Sequence, residues 1–300
     1  MLNLTYLLWM IGSALVAAAV HFFTAKMLKK RAPLVLLTLA FGAVLGTALA
    51  RLGYCLLQAD YALGYGLEYT LLSDDMSLMS FFCGALGVIL GAVLAAKCTG
   101  SRVVPALNAF APAGALMAAL ARFGEHFLGM ICAGNYLENE AFCFFPVAVC
   151  NEWDEWYLAV HLYTGLLCLI VAAVSLFRFR ERRFLRTVYY LCLVQILCES
   201  LRNQSLIWSQ FIRAEQLLCM VTVLGILLLL GLRARPKMHR FLPAAVGLLC
   251  AGVFVAVEFA VGGKLFNGVH PVFFYAVMAA GLAVLALMEC RLISRQPKET

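Results

Sequence analysis

Charge is what this sequence has least of. Only 13% of its 300 residues are Asp, Glu, Lys or Arg, against about 25% in soluble domains. A chain so poor in charge cannot clothe a soluble globule, and it has too much apolar side chain to be disordered. The 12 cysteines form no CxxC pair and no Cys/His cluster at metal-ligand spacing, so neither a metal nor a cofactor is expected. Period-two alternation is missing, which argues against a membrane barrel. The first residues, MLNLTYLLWM, lack a basic leader. Their apolar stretch outruns a signal-peptide core, so they read as a first membrane span.

What is present is apolar: 64% of residues are hydrophobic, and the mean hydropathy is +0.92. Continuous apolar runs of about 20 residues fit helices crossing a bilayer, where backbone polar groups must pair internally. The pattern predicts an all-α polytopic membrane protein of about nine transmembrane helices. They fall near 4–25, 33–57, 77–96, 103–127, 158–177, 187–207, 214–232, 241–262 and 271–290. No separate soluble domain is evident.

The basic residues confirm the threading. Of 23 Lys and Arg, 18 fall in alternate connections and the C-terminal tail: Lys26, Lys29, Lys30 and Arg31; Lys97 and Arg102; Arg178, Arg180, Arg182, Arg183 and Arg186; Arg233, Arg235, Lys237 and Arg240; Arg291, Arg295 and Lys298. The opposite loops hold Asp60, Glu68, Asp74, Asp75, Glu138, Glu140, Glu152, Asp154 and Glu155, with Lys264. Positive charge stays cytoplasmic, so the N-terminus is expected outside and the C-terminus inside. The net charge of +7 follows from that rule and suits an anionic leaflet; it does not point to nucleic acid. The longest connection, 128–157, carries interfacial aromatics (Tyr136, Trp153, Trp156, Tyr157) and Cys132, Cys143 and Cys150. Two of these cysteines would pair if the loop faces an oxidising compartment.

Four arginines lie in or beside apolar spans: Arg51, Arg122, Arg202 and Arg213. A mid-bilayer charge costs at least about 2.5–3.5 kcal/mol, so such residues usually face the protein interior and mark function. The threading puts all four near outer helix ends, with Asp74, Asp75, Ser77, Ser80, His161, Tyr163, Glu215 and Gln216 at the same depth. A substrate entering there would be a lipid or a membrane-anchored peptide. Arg122 with Glu125 and Glu199 with Arg202 are also i, i+3 pairs, for which local neutralisation is the alternative, and snorkelling accounts well for Arg213; for Arg122 and Arg202 the functional reading is preferred. Counting the four arginines against Glu125, Glu199 and Glu215 leaves one positive charge in excess. That would favour an anionic head group read by guanidinium forks. ALARLG (48–53) and ALARFG (119–124) echo one another, and their small residues read as close helix packing.

Six fragments, in order over roughly residues 35–232, resemble the bacterial prolipoprotein diacylglyceryl transferases. Gly46 to Tyr54 (GTALARLGY) is similar to that family's G-A-R-L-G-Y stretch. Ser77 to Gly91 resembles S-F-H-G-G-L-x-G, and Ala121 to Gly129 (ARFGEHFLG) the signature G-R-I-G-N-F. His161-Leu162-Tyr163 resembles Q-L-Y-E, Glu199 to Arg202 resembles E-F-L-R, and Ala214 to Leu218 resembles M-G-Q-I-L. The resemblance implies a multi-pass protein of the bacterial inner membrane. It would pass a diacylglyceryl group from phosphatidylglycerol to a cysteine thiol in a lipoprotein signal peptide, releasing glycerol phosphate. Arg122 and Arg202 would hold the phosphate with Arg51, supported by Tyr54, Tyr163, Glu199 and Gln216.

The sequence departs from the family where catalysis matters. Met79 stands near the family histidine, Glu125 and His126 replace Asn-Phe of the signature, Ala121 replaces its glycine, and Thr164 replaces the glutamate of Q-L-Y-E. Either the base has moved, to His126 or His161 beside Glu125, or only phospholipid or lipoprotein binding is kept. A transporter is a third reading, against which the polar residues gather at one depth instead of along a path. Residues 1–232 read as the transferase-like core, and 233–300 as two further helices with a tail.

Overall fold

The computed structural model describes residues 3–73, 75–202, 208–209, 212–234, 241–261 and 270–295, with side chains for all but 131, 132, 208, 209 and 212. Asp74, Arg235, Lys237, Arg240, Lys264, Lys298 and the Cys132 side chain lie outside them. Eleven α-helices follow in order: α1 (Leu4–Thr24), α2 (Arg31–Leu57), the short α3 (Ala59–Tyr65) and α4 (Leu67–Leu72), α5 (Phe81–Cys98), α6 (Val103–Gly124), α7 (Val160–Phe177), α8 (Arg183–Ser200), α9 (Ala214–Arg233), α10 (Leu242–Val261) and α11 (Pro271–Ser294). Two hairpins interrupt them, β1 (Ala148–Cys150) with β2 (Trp156–Leu158) and β3 (Trp208–Ser209) with β4 (Ile212–Arg213).

Among the described residues, eight helices are long and apolar enough to cross a membrane; α8 is the ninth long helix and the exception. It carries Arg186, Gln195 and Glu199. Gln195 and Glu199 are hydrogen-bonded inside the bundle, where α8 packs on α6, α7 and α9, and Arg186 pairs with Glu289 of α11, so these side chains need no lipid-compatible surface. Side chains such as Phe23, Leu56 and Leu249 are more than two-thirds exposed, as a lipid-facing surface requires. This is an all-α, multi-pass membrane protein.

Four boundaries differ from the sequence reading by four residues or more: the expected 77, 187, 207 and 290 fall at 81, 183, 200 and 294. The third span starts at Phe81 instead of 77, because Ser80 caps it: its hydroxyl accepts the Cys83 N–H at 3.2 Å. The sixth ends at Ser200 instead of 207, because the chain there turns to extended pairing. Arg202 sits opposite Gly134, and the Asn135 N–H donates to the Leu201 carbonyl at 3.1 Å. Arg202 is therefore just beyond a helix end, not within a span. Cys143 and Cys150 are both free thiols, so the disulfide considered for the long loop is not formed.

Helices α1 and α6 run antiparallel. At one end of the bundle, Asn3 of the α1 cap donates to the Phe127 carbonyl, and the Trp9 indole donates to the Leu120 carbonyl at 2.7 Å. At the other end, the Thr24 hydroxyl donates to the Ala109 carbonyl at 2.6 Å. Helices α2 and α5 meet backbone to backbone through Gly42, Gly46, Gly87 and Gly91. A Cβ on Gly87 would lie 2.3 Å from the Leu45 carbonyl oxygen, so only glycine permits this approach. Gly87→Val is expected to push α2 and α5 apart and cost about 1–3 kcal/mol. A lowered melting temperature in detergent would show it, and an unchanged one would contradict the close packing. The largest apolar core joins α8, α9, α10 and α11, around Tyr189, Ile196, Leu227, Phe254 and Met278.

A buried ionic cluster at one end of the bundle

Several elements bring polar side chains to the same end of the bundle. Helix α6 delivers Arg122 in its last turn, and the 3-10 helix Glu125–Cys132 that follows delivers Glu125. Arg122 ion-pairs with Glu125 Oε1, donates to Gln195 Oε1 at 2.6 Å, and lies 3.6 Å from the Phe81 ring centroid. Arg202 donates to Glu125 Oε2 at 2.6 Å and pairs with Glu199 Oε2 at 3.3 Å. Two guanidiniums from separate elements thus share one carboxylate, one on each oxygen. Arg122 is 2% and Arg202 4% exposed.

Gln195 ties this centre to the next helices. Its amide nitrogen donates to Glu199 Oε2 at 3.0 Å and Glu215 Oε2 at 3.3 Å. Glu215, in the first turn of α9, accepts from the Ser80 hydroxyl at 2.9 Å and the Phe82 N–H at 3.2 Å. It therefore satisfies an N–H at the start of α5 that has no partner within its own helix. Arg213 donates to the Glu199 carbonyl and faces Glu258 of α10 at 3.6 Å. Gln216 donates to the Ile196 carbonyl at 3.2 Å and to Glu258 Oε1 at 3.0 Å. Buried charges at this density are stable only when paired or hydrogen-bonded: Arg122, Arg202 and Arg213 face carboxylates, and Glu215 accepts from Ser80, Phe82 and Gln195.

The histidines lie alongside. His126 and His161 face each other with ring centroids 5.6 Å apart. His126, next to Glu125 in the chain, is exposed, whereas His161 is buried, and its Nε2 has no hydrogen-bond partner among the described residues.

Other expected site residues stand elsewhere. Arg51 donates to the carbonyls of Ser73 at 2.7 Å, Leu78 at 3.2 Å and Thr70 at 3.5 Å, and so holds the chain between α4 and α5. It also ends a groove of about 590 Å³ along α2, lined by Ala43, Val44, Thr47, Ala48, Leu52 and Leu71. Tyr54 packs on Tyr61 (centroids 6.2 Å apart) and among Leu78 and Ala214. Tyr163 donates to the Val147 carbonyl at 3.0 Å, fixing the β1–β2 hairpin. Tyr157 in that hairpin donates to Glu155, and this bond is the chief cause raising its phenol above the usual range.

The charge count differs from the sequence reading. Arg51 has its described bonds to backbone carbonyls, while Glu258 of α10 joins the cluster. Three arginines then meet four glutamates, so the excess among the described residues is one negative charge, not one positive. Gln195 and Glu258 were not picked out as site residues. Gln195 had a signal, since it stands i, i+4 from Glu199 in an otherwise apolar run, YLCLVQILCES. No group of three His, Cys, Asp or Glu side chains among the described residues is placed to hold a metal ion.

A polytopic helical bundle with a buried arginine–glutamate cluster at one end and apolar side chains exposed on its long helices defines a multi-pass membrane protein. The family model for prolipoprotein diacylglyceryl transferase matches residues 5–232, and the chain belongs to that family. No curated protein matches it significantly. The match ends at the close of α9, leaving α10 and α11 outside it.

Proposed function

We propose that this chain is a transferase of the bacterial cytoplasmic membrane that moves the diacylglyceryl group of phosphatidylglycerol to the cysteine thiol of a lipoprotein signal peptide. The observation that carries this reading is the convergence of Arg122 and Arg202 on the two oxygens of Glu125. A pair of guanidiniums spaced for a carboxylate is also spaced for a phosphate. Glu125 would give up its place as the phospholipid enters.

In the reaction, the thiol sulfur bonds to the glycerol carbon that carries the phosphate, and the carbon–oxygen bond to phosphate breaks. The phosphodiester, with one negative charge, leaves as a phosphomonoester with two. The arginines therefore hold the leaving group more strongly than the substrate, as catalysis requires. The thiol proton goes to a base, for which the unpartnered Nε2 of His161 is the candidate. His126 and the displaced Glu125 would pass the proton outward. The donor lipid and signal peptide enter from the bilayer, and the polar-cluster end faces away from the cytoplasm. No metal or cofactor enters this chemistry.

A second reading keeps phospholipid or lipoprotein binding without turnover. The observation favouring it is Met79, which carries no titratable proton where the family has a histidine. Expression in cells depleted of their own transferase, followed by mass spectrometry of a prolipoprotein, separates the two. A diacylglyceryl adduct is expected; its absence at normal protein levels overturns the transferase reading.

A further inference from the structure

The chain between α8 and α9 carries Arg202 near its start and Arg213 at its end. Both ends are held by helices that lie beyond the family match at residue 232. From α10, Glu258 faces Arg213 Nε at 3.6 Å and accepts from Gln216 at 3.0 Å. From α11, the Tyr275 hydroxyl donates to the Ser200 carbonyl at 3.3 Å and accepts from the Asn135 side-chain amide at 3.1 Å. Ser200 is two residues before Arg202, and Asn135 follows Gly134, whose backbone lies opposite Arg202. The Tyr275 hydroxyl thus ties together the two strands of chain that place Arg202.

A helix pair added only for membrane anchorage would need apolar contacts alone. This pair has those, and it also places a partly buried carboxylate and a phenol where they meet the arginine segment. The same pair makes a separate polar contact at the opposite end: Glu289 of α11 accepts from Arg186 Nε at 2.8 Å and from the Tyr190 hydroxyl at 3.1 Å. The pair therefore has a polar anchor away from the cluster as well as the contacts of Glu258 and Tyr275. A carboxylate brought into the low-dielectric interior is retained at a cost unless it is paired, and the cation opposite it is Arg213.

We infer that Glu258 and Tyr275 are positioning residues. On this view the two C-terminal helices complete the site by fixing Arg202 and Arg213. The inference rests on the reading of Arg202 as a phosphate-holding residue.

The test compares Glu258→Gln, Tyr275→Phe and the control Glu289→Gln in the full chain. Each is reconstituted in vesicles of phosphatidylglycerol and phosphatidylcholine, with a synthetic lipopeptide bearing the cysteine. Glu258→Gln and Tyr275→Phe are each expected to lower kcat/KM for diacylglyceryl transfer at least tenfold, with melting temperature close to that of the parent. Glu289→Gln should lower the melting temperature while transfer per folded molecule stays unchanged. Arg213→Gln combined with Glu258→Gln should be no worse than the poorer single variant, since both break one pair. Transfer unchanged in Glu258→Gln and Tyr275→Phe, or lost equally in Glu289→Gln, overturns the inference. If the parent chain itself makes no adduct, the transferase reading fails separately. The inference is then read from phosphatidylglycerol retained on purification, which should fall at least tenfold in the two positioning variants and stay level in the control. Equal retention in all three overturns it.

Discussion

Arg122→Gln and Arg202→Gln are each expected to lower diacylglyceryl transfer by about 10²–10³-fold, the usual loss when one preorganised donor to a developing anion is removed. Each variant leaves Glu125 with one guanidinium, and Gln195 or Glu199 keeps a polar neighbour. Insertion and folding should therefore survive, as judged by normal amounts of protein extracted from membranes. Because the two arginines act on the same charge, the double variant should lose little more than either single one. Lysine should not rescue either position, since it offers a point charge where a planar fork is needed. Transfer that persists in both single variants would remove the arginines from the chemistry. Loss of the protein itself in both would assign them to folding alone.

His161→Ala should be the second large effect. General base catalysis is worth about 10²–10⁴-fold, and His161 offers a buried imidazole nitrogen with no described partner, facing the exposed ring of His126 at 5.6 Å between centroids. The loss should fall on the chemical step, so phosphatidylglycerol retained on purified protein should match the parent. His126→Ala, which leaves the buried imidazole in place, should lose less. A His161→Ala protein that transfers at the parental rate would place the base elsewhere, and one that also loses its lipid would show His161 to be a binding residue.

These expectations combine features that the sequence displayed with others it concealed. Long apolar runs and segregated basic loops were enough for the helical membrane fold, because the bilayer permits few alternatives. The i, i+3 spacing of Arg122 with Glu125, and of Glu199 with Arg202, placed each pair within reach. Their sharing of Glu125 depends on where α6 ends and α8 turns, which local sequence does not state. The apolar Leu206, Ile207 and Trp208, beyond the polar run Arg202 to Ser205, drew the expected span past Ser200, where the chain leaves the helix to pair with Gly134 and Asn135. Arg51 has the same sequence context as Arg122, small residues before and Leu/Phe-Gly after, yet its described bonds are to loop carbonyls. A carbonyl partner carries no side-chain signature, so the two roles look alike in sequence. Glu258 was visible as a charge in an apolar helix, but its partner Arg213 is 45 residues away, and only the packing of α10 on α9 brings them together.

One measurement bears on the central claim more directly than any other. Purified full-length protein in lipid nanodiscs is given phosphatidylglycerol labelled in its head-group glycerol, and released glycerol phosphate is counted with and without a lipopeptide cysteine. The account predicts release only when the free thiol is present, one glycerol phosphate for each thioether formed, and none from Arg122→Gln. Release without the thiol, or thioether formation that survives the loss of Arg122, would contradict it.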